Sequence, residues 1–338
     1  MIEYLTSVTF VVLMAKVAVI FGGLMGSLAY MTLLERKVMA AVQMRPGPNR
    51  VGPLGLLQPL ADGIKFLFKE DIIPANSSVL LYVLAPVISL IPAFMCFAVI
   101  PFGPELQITD LNVGVLFIFA MTSVGVYGIV LGGWASNSKY PLMGGLRASA
   151  QMISYELSLT LSVVGVLMIT NTLSLQEIVT AQAGTWFGFI PRWNIVLQPL
   201  AFIIFFISIL AETNRTPFDM AEAEQELVAG WHTEYSSMKF AMFFLAEYAN
   251  MVTGSAMASI LFLGGWNGPM FGPEWLQIWV LPTAWFLAKV FFFMFLFMLI
   301  RATLPRIRYD QLMAFGWKVL LPLALANVVI TSLVVALT

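Results

Sequence analysis

The stretch ETNRTPFDMAEAEQELVAGWHTEY, residues 212–235, holds six of the chain's eighteen carboxylates, and Arg215 is its only basic residue. Strongly apolar segments flank it on both sides, at residues 194–211 and 240–263. Each segment is close to the ~20 apolar residues that a helix needs to cross a bilayer. The acidic stretch is therefore predicted to be a loop that joins two membrane-spanning helices.

The rest of the chain repeats this apolar pattern. Its 338 residues are 60% hydrophobic and 10% charged, which is too much apolar surface for a soluble core to bury. We predict an all-α polytopic membrane protein with eight transmembrane helices, in a single integral membrane domain that covers residues 1–338. The six further spans are expected near residues 8–34, 79–101, 113–134, 148–170, 279–300 and 317–337.

The distribution of basic residues predicts the orientation of these spans. Lys and Arg concentrate in alternate loops, while the opposite loops carry only Arg192. Basic loops stay on the cytoplasmic or matrix side. Both termini are therefore expected outside, in the periplasm or the intermembrane space. The long loop 35–78 and the acidic loop 212–239 are expected inside.

Composition also excludes several kinds of function. The net charge of -1 does not suit nucleic acid, which requires a basic excess. One cysteine, Cys96, and one histidine, His232, are too few to ligate an iron–sulfur cluster or a structural zinc. We therefore expect neither a metal site nor a redox centre on this chain.

The first inner loop, residues 35–78, contains an amphipathic pattern. Asp62, Lys65 and Lys69 lie off an apolar stripe at helical spacing, and Asp62 and Lys65 are spaced to form a pair. A helix in the membrane interface is predicted. It is either a surface anchor or one wall of a lateral opening for a lipid-soluble substrate. The stripe consists of Leu56, Leu57, Leu60, Ile64, Leu67 and Phe68.

Two carboxylates fall inside predicted spans at similar depth. Glu156 follows Arg147 by nine residues, and Glu247 follows Lys239 by eight. A carboxylate within a membrane is expensive unless it is paired or hydrated, so it indicates a functional site. Alternatively, each is neutral and hydrogen-bonded to a neighbouring helix. Lys289, also within a span, is a candidate counter-charge.

The acidic loop is predicted to contain a short helix. Thr216 is expected to be its N-cap, with Pro217 at the first helical position and Asp219 in the first turn. Asp219, Glu222 and Glu226 would then share one face, while Glu224 points elsewhere. Like charges one turn apart can share protons, as a relay requires. A solvated first turn explains Asp219 but not Glu226, and His232 is either a structural hydrogen-bonding group or a proton shuttle.

Four segments now carry a family resemblance. In order along the chain they are ERKVMAAVQMRPGPNRVGPLGLLQPLADGIK (35–65), LRASAQMISYE (146–156), ETNRTPFDMAEAEQELVAGWHTEYSSMKF (212–240) and LPRIRYDQL (304–312). Together with the eight spans, they resemble the H subunit, or mitochondrial subunit 1, of respiratory complex I, the proton-pumping NADH:quinone oxidoreductase. The resemblance covers essentially the whole chain, with small departures at Thr216 and Ala221.

The resemblance implies a role for each group of candidate residues. Arg36, Asp62, Lys65 and Phe66 would lie at the entrance of a quinone tunnel, with Arg215 and Phe218 in its inner part. Arg45 and Arg50 would dock the peripheral arm. The carboxylates that would couple quinone reduction to proton translocation are Glu212, Asp219, Glu222, Glu224, Glu226, Glu247 and Glu156.

The same resemblance implies the partners and the location. The chain would be a subunit of the enzyme without a cofactor of its own, with quinone as substrate and flavin and iron–sulfur clusters in partner subunits. Its partners would be the lipid bilayer and other complex I subunits of both arms, with no nucleic acid. It would lie in the bacterial inner membrane or, alternatively, in the mitochondrial inner membrane.

Two alternative functions stay open at this point. One is the equivalent membrane subunit of a membrane-bound hydrogenase-type complex. The other is a stand-alone proton or cation transporter, for which buried Glu156 and Glu247 would suffice. The patterned loop 35–78 and the acidic loop 212–239 favour a subunit that docks partners.

Overall fold

Helices dominate the structure. The computed structural model describes residues 8–186, 190–220 and 228–337. In these ranges the chain is helical apart from loops and a two-residue antiparallel strand pair, β1 (Thr185–Trp186) and β2 (Ile190–Pro191). The helices, in chain order, are α1 (Val8–Val42), α2 (Gln58–Phe68), α3 (Val79–Met95), α4 (Gly114–Ala135), α5 (Lys139–Thr170), α6 (Leu175–Ala181), α7 (Asn194–Leu197), α8 (Pro199–Glu212), α9 (Ser237–Phe262), α10 (Leu281–Thr303), α11 (Tyr309–Phe315) and α12 (Leu321–Leu337).

Short 3-10 and π segments occur in loops and at the ends of several helices. The 3-10 turns are Pro53–Gly55, Cys96–Ala98 and Gly230–His232. The π segment Leu276–Val280 leads into α10, and the π segment Gly316–Leu320 joins α11 to α12.

Six helical segments among the described residues are long and apolar enough to cross a membrane. The predicted all-α polytopic class is confirmed at this level. The count of eight spans and the outer position of both termini stay predictions. The six segments are Phe10–Val42, Val79–Ala98, Gly114–Ala135, Lys139–Thr170, Leu276–Thr303 and Tyr309–Leu337.

The two other predicted spans correspond to α8 and α9. α8 is apolar but only 14 residues long. α9 has 26 residues and packs against α1, α3, α8 and α10. Every residue from Met251 to Phe262 is buried. Because protein surrounds α9, its surface can be small and partly polar, as helix contacts within membranes favour.

Two helices begin or end well outside the apolar runs that predicted them. α1 continues to Val42 rather than ending near residue 34, and α5 begins at Lys139 rather than near residue 148. Hydropathy detects only the apolar part of a helix, whereas the backbone remains helical through the polar residues that follow it. As a result, Glu35 and Arg36 belong to α1 rather than to a loop.

The predicted amphipathic helix is present as α2. Its apolar side chains at Leu60, Ile64 and Phe68 are exposed, as a helix resting on lipid requires. On its other side, the Phe66 ring lies 6.0 Å from the Phe240 ring of α9, and Ser237 Oγ donates to the Phe66 carbonyl. Both interpretations of this helix therefore agree with its packing, since one face is exposed and the other lies against α9.

The predicted helix start at Thr216 is wrong. Residues 213–220 form turns, a bend and irregular backbone, not the first turn of a helix. Gln151 on α5 donates through Nε2 to the carbonyls of Ala211 and Phe218, both at 2.8 Å. These tertiary hydrogen bonds fold the chain back on α5 and outweigh the local capping preference. Ala221, Glu222, Glu224 and Glu226 lie outside the described residues. The face predicted to be shared by Asp219, Glu222 and Glu226, with Glu224 pointing elsewhere, therefore stays a prediction.

Beyond this gap, the chain rejoins α5 closely. Gly230 adopts a φ of 59°. A Cβ atom at Gly144 of α5 would lie only 2.6 Å from the Trp231 backbone nitrogen. Glycine at position 144 thus permits the contact that holds the end of the acidic loop against the helical bundle.

Candidate functional site

A buried arginine lies where three elements meet. Arg215, from the loop after α8, donates through Nη1 to Glu35 Oε1 of α1 at 2.7 Å. Its Nε lies 2.5 Å from Glu247 Oε1 of α9. The side chains of Arg215 and Glu35 are only 6% and 5% exposed. Buried charges require pairing of this kind, because an unpaired one loses its hydration without compensation.

Two further side chains complete this group. Arg301, in the last turn of α10, forms a second ion pair with Glu35 Oε1. Tyr248 Oη donates to Glu35 Oε2 at 2.6 Å, and its ring lies 4.7 Å from the Arg215 guanidinium. Two carboxylates thus face two guanidinium groups. We call Glu35, Arg215, Glu247, Tyr248 and Arg301 the ionic centre.

Sequence reasoning finds only part of the ionic centre. It predicts Arg215 and Glu247, but not Glu35, Tyr248 and Arg301. The sequence feature that could have indicated the missed residues is the position of Glu35, a carboxylate directly after an apolar run within the motif ERK. Glu35 escapes prediction because the span is expected to end before it.

A cavity of about 620 Å³ opens between α1, α2 and α9. Its lining is mainly apolar, with Leu28 and Leu245 among the residues that form it, and Glu35 and Tyr248 lie at its inner end. We call it the lateral cavity. All four residues expected at the tunnel entrance line it, namely Arg36, Asp62, Lys65 and Phe66.

Charged side chains link α1 and α2 at this cavity. Arg36 Nη1 donates to Asp62 Oδ2 at 2.8 Å, and Lys65 Nζ lies 4.0 Å from Asp62 Oδ1. Lys65 also lies 4.8 Å from the centre of the Phe66 ring. Exposed ion pairs of this type add at most about 1 kcal/mol. Their main effect is therefore to fix α2 in position against α1.

A second, polar cavity of about 390 Å³ lies on the other side of the ionic centre. We call it the inner cavity. Arg215, Asp219, His232, Glu247 and Arg306 line it. It shares three lining residues with the lateral cavity, so the two spaces adjoin at the ionic centre. The shared residues are Met39, Phe244 and Arg301.

The surroundings of two titratable groups in the inner cavity shift their pKa values. Burial raises the pKa of Asp219, although the neighbouring guanidinium of Arg306, 2.9 Å away, opposes the shift. Burial lowers the pKa of His232, although the charges of Glu247 and Asp219 oppose that shift. The rings of Trp231, Phe240 and Phe244 contact His232. The neutral imidazole is therefore favoured.

Glu212 and Glu156 form a second acidic site beside the ionic centre. Glu212 ends α8, and its charge interacts with that of Glu156 on α5. Ser123 Oγ on α4 donates to Glu156. Of the two carboxylates predicted to lie within spans, Glu247 therefore has an arginine partner, whereas Glu156 has a hydroxyl donor and an acidic neighbour.

One small cavity lies between Glu247 and Glu212, and a second lies beside Glu212. The first, of about 40 Å³, is lined by both Glu247 and Glu212, and the second, of about 30 Å³, is lined by Glu212 and Thr253. Each has room for about one or two water molecules. Ser89 Oγ and Trp231 Nε1 in the first cavity, and Thr253 Oγ1 in the second, are buried and have no hydrogen-bond partner among the described residues. Such groups are usually satisfied by ordered water.

Other predicted site residues occupy different surroundings. Phe218 is buried against the Tyr155 ring at 5.6 Å and lines neither the lateral nor the inner cavity. Arg45 and Arg50 are exposed in the loop after α1. Lys289 donates to backbone carbonyls at the far end of α9, remote from the ionic centre.

A family match covers almost the whole chain. The family model described as NADH dehydrogenase matches residues 15–332. This chain belongs to the NADH dehydrogenase family. The resemblance seen in the four sequence motifs is thereby confirmed.

Members of the NADH dehydrogenase family resemble this chain from end to end. The NADH-quinone oxidoreductase H subunit 1 of Geobacter sulfurreducens is 53% identical, over 98% of this chain and 97% of the relative. The H subunit 2 of Koribacter versatilis is 54% identical, over 96% and 97%. The H subunit of Syntrophotalea carbinolica is 51% identical, over 97% of each chain. With its apolar helices, this member of the family is a multi-pass protein of the bacterial inner membrane.

Proposed function

We propose that this chain is the membrane subunit of a proton-pumping NADH:quinone oxidoreductase that admits quinone and couples its reduction to proton translocation. The observation that carries the proposal is the position of the ionic centre, between an apolar lateral cavity and a polar inner cavity. The named relatives are subunits of such an enzyme. Electrons from NADH would pass through flavin and iron–sulfur clusters in partner subunits.

The lateral cavity suits a quinone that arrives from the membrane. Its volume of about 620 Å³ lies within the ~300–1,000 Å³ of ligand sites. An apolar tail would contact residues such as Leu28 and Leu245, while the polar head group advances toward Tyr248 and Arg301. The mouth of the cavity is formed by Arg36, Asp62, Lys65 and Phe66. The contacts of these residues keep α2 in a fixed position beside α1. The exposed side of α2 rests in the membrane interface.

Coupling would begin at the ionic centre. A head group in the inner cavity changes the electrostatic field around Arg215, which Glu35 and Glu247 share. Glu247 lines both the inner cavity and the small cavity that leads to Glu212. A change in its pairing is therefore transmitted through water toward Glu212, whose charge interacts with that of Glu156. Each tenfold change in proton affinity corresponds to ~1.4 kcal/mol, within the usual range of coupling between sites.

The remaining acids and the topology complete the proposal. Asp219, with Glu222, Glu224 and Glu226 in the same loop, would extend the acidic route on the inner side. Arg215 lies in the inner part of the tunnel, with Phe218 behind it. Arg45 and Arg50 would contact the peripheral arm. This arrangement assumes eight spans with both termini outside.

The two alternatives make different use of the same residues. A hydrogenase-type complex would also require docking loops, whereas a stand-alone transporter would require neither partners nor a lateral cavity. The relatives, at 51–54% identity, are named as quinone oxidoreductase subunits, which favours the function proposed here.

Filling the lateral cavity tests the proposal. Ala29 of α1 lines this cavity, whereas Ala18 of the same helix is exposed elsewhere. In the assembled complex, Ala29→Trp is expected to lower quinone reduction by NADH strongly, while reduction of a soluble acceptor at the flavin persists. Ala18→Trp is the matched control. Normal quinone reduction by a fully assembled Ala29→Trp complex would show that quinone does not use this cavity.

A further inference from the structure

A groove lies at the surface of the chain, at the end of α9 opposite the acidic loop. It has a volume of about 310 Å³ and runs between the loop that follows α9 and the first half of α10. Trp193, Trp285 and Phe292 form its walls, and Ala288 and Lys289 lie along its length. Ala288 and Phe292 are exposed. We call it the tryptophan groove, and it opens at the surface of the chain.

The two tryptophan rings are fixed in place by the loop backbone. A Cβ atom at Gly264 would lie 2.9 Å from Trp193 Cδ1, and one at Gly268 would lie 2.6 Å from Trp285 Cγ. Both rings therefore rest directly on glycine. Trp285 Nε1 also donates to the Pro269 carbonyl at 3.0 Å. The walls are consequently formed before any ligand binds, which reduces the entropy lost on binding.

A lysine places positive charge at the base of the groove. Lys289 Nζ donates to the carbonyls of Leu263, Gly265 and Asn267 at 2.7, 2.8 and 2.6 Å. It also lies 4.8 Å from the Trp193 ring. All three of its N–H bonds are used, so it contributes charge rather than a free donor. In the described part of the chain, Lys289 has no carboxylate partner within ion-pair distance.

We propose that the tryptophan groove binds one acyl chain of an anionic phospholipid. The groove follows α10 from Trp285 to Phe292, roughly 10 Å at the helical rise per residue, and an acyl chain lies in the same direction across a membrane. Its aromatic and aliphatic lining matches a hydrocarbon chain. Lys289 supplies an uncompensated charge, and exposed Arg192 directly precedes Trp193. Together they favour a phosphate with a net negative charge.

The lining favours lipid over a helix of a neighbouring subunit. Helices that associate within membranes use small residues to bring their backbones together, whereas this groove has bulky rings on both sides. A single hydrocarbon chain needs no such small residues to pack between the rings.

Photo-cross-linking tests the proposal. The assembled complex is placed in phosphatidylcholine vesicles with a trace of phosphatidylglycerol that carries a photoactivatable acyl chain, and labelled peptides are mapped by mass spectrometry. Label is expected on residues 263–292 at several times the level given by a matched phosphatidylcholine probe. Ala288→Trp fills the groove and should abolish this excess. Leu287→Trp is the control, because Leu287 is 50% exposed but does not line the groove.

Each other outcome contradicts the proposal. Equal labelling by the two probes would exclude preference for an anionic lipid, and equal labelling of the two tryptophan variants would exclude the groove. Cross-links to a neighbouring protein chain would identify a different occupant. Arg192→Gln should lower the excess of phosphatidylglycerol labelling, and an unchanged excess would contradict the part assigned to Arg192. None of these readouts requires quinone turnover, so they are independent of the function proposed above.

Discussion

Arg215 and Glu35 are 180 residues apart in the chain, and their side chains meet at 2.7 Å inside the protein. The pair joins the loop after α8 to α1, and Arg301 joins α10 to the same carboxylate. A single acidic side chain thus connects three parts of the fold. Its removal should affect both the stability and the activity of the complex.

Glu35→Gln is expected to destabilise the subunit and to impair quinone reduction. The substitution leaves Arg215 and Arg301 with one negative charge fewer, and loss of one partner from a buried ion pair costs about 3–5 kcal/mol. Thermal melting of the purified complex and its NADH:quinone activity are the measurements. Glu105→Gln, at an exposed position, is the control. Equal behaviour of the two variants would contradict the role assigned to Glu35.

The Arg36–Asp62 pair should affect substrate entry more than stability. Because Arg36 is 48% exposed, a double-mutant cycle is expected to give a coupling of only ~0.2–1 kcal/mol. Arg36→Ala should raise the KM for a long-tailed quinone while kcat changes little, since the pair positions α2 at the cavity mouth. Exchanging the charges with Arg36→Asp and Asp62→Arg should restore part of the loss. An unchanged KM in Arg36→Ala would exclude this positioning role.

His232 predicts a dependence of stability on pH. Burial lowers its pKa in the folded chain, so the unfolded chain binds the proton more readily between the two pKa values. The stabilisation is present above the unfolded value of about 6.5 and is lost as the pH falls through the folded value. His232→Gln removes this titration. The difference in melting temperature between wild type and variant should therefore change between about pH 7 and pH 5.

A difference that is constant over this range would show that His232 does not titrate on folding. The rest of the complex titrates equally in wild type and variant, so only the difference is informative. Glu247 and Asp219 also face the inner cavity. Comparing the double variant Asp219→Asn, His232→Gln with His232→Gln alone measures the contribution of Asp219 to the pH dependence.

If water in the small cavities carries protons, a substitution that fills one of them should impair proton transfer without changing any titratable group. Gly125 lines the cavity of about 40 Å³ between Glu247 and Glu212, and a Cβ atom there would meet nothing within 4 Å. Gly125→Val should displace its water and lower the proton-pumping rate by roughly tenfold, equivalent to ~1.4 kcal/mol in the barrier. Pumping in vesicles is the measurement.

Val124→Ile is the matched control, because Val124 is on the same helix but 39% exposed. It should pump at the wild-type rate. If Gly125→Val also pumped at that rate in a fully assembled complex, hydration of this cavity would not be required for coupling.

The class of fold and the residues at the mouth of the lateral cavity could be predicted from sequence. Apolar runs locate the membrane helices, and the spacing around Asp62 locates α2, because both depend on local pattern. Glu35 is missed because hydropathy marks where apolar residues stop, not where the helix stops. The cap at Thr216 fails because Gln151 on α5 binds the same backbone. Neither the ionic centre nor the tryptophan groove follows from local pattern, since each joins residues far apart in the chain.

The shared wall of the two larger cavities has a thermodynamic consequence. If an occupant beside Arg301 and Phe244 changes the proton affinity of Glu247, linkage requires that protonation of Glu247 change the affinity for that occupant by the same factor. The coupling is then reversible in principle. An opposing proton gradient that changes the protonation of Glu247 would then appear as a change in quinone affinity, so the load on the pump would be measurable at the substrate site.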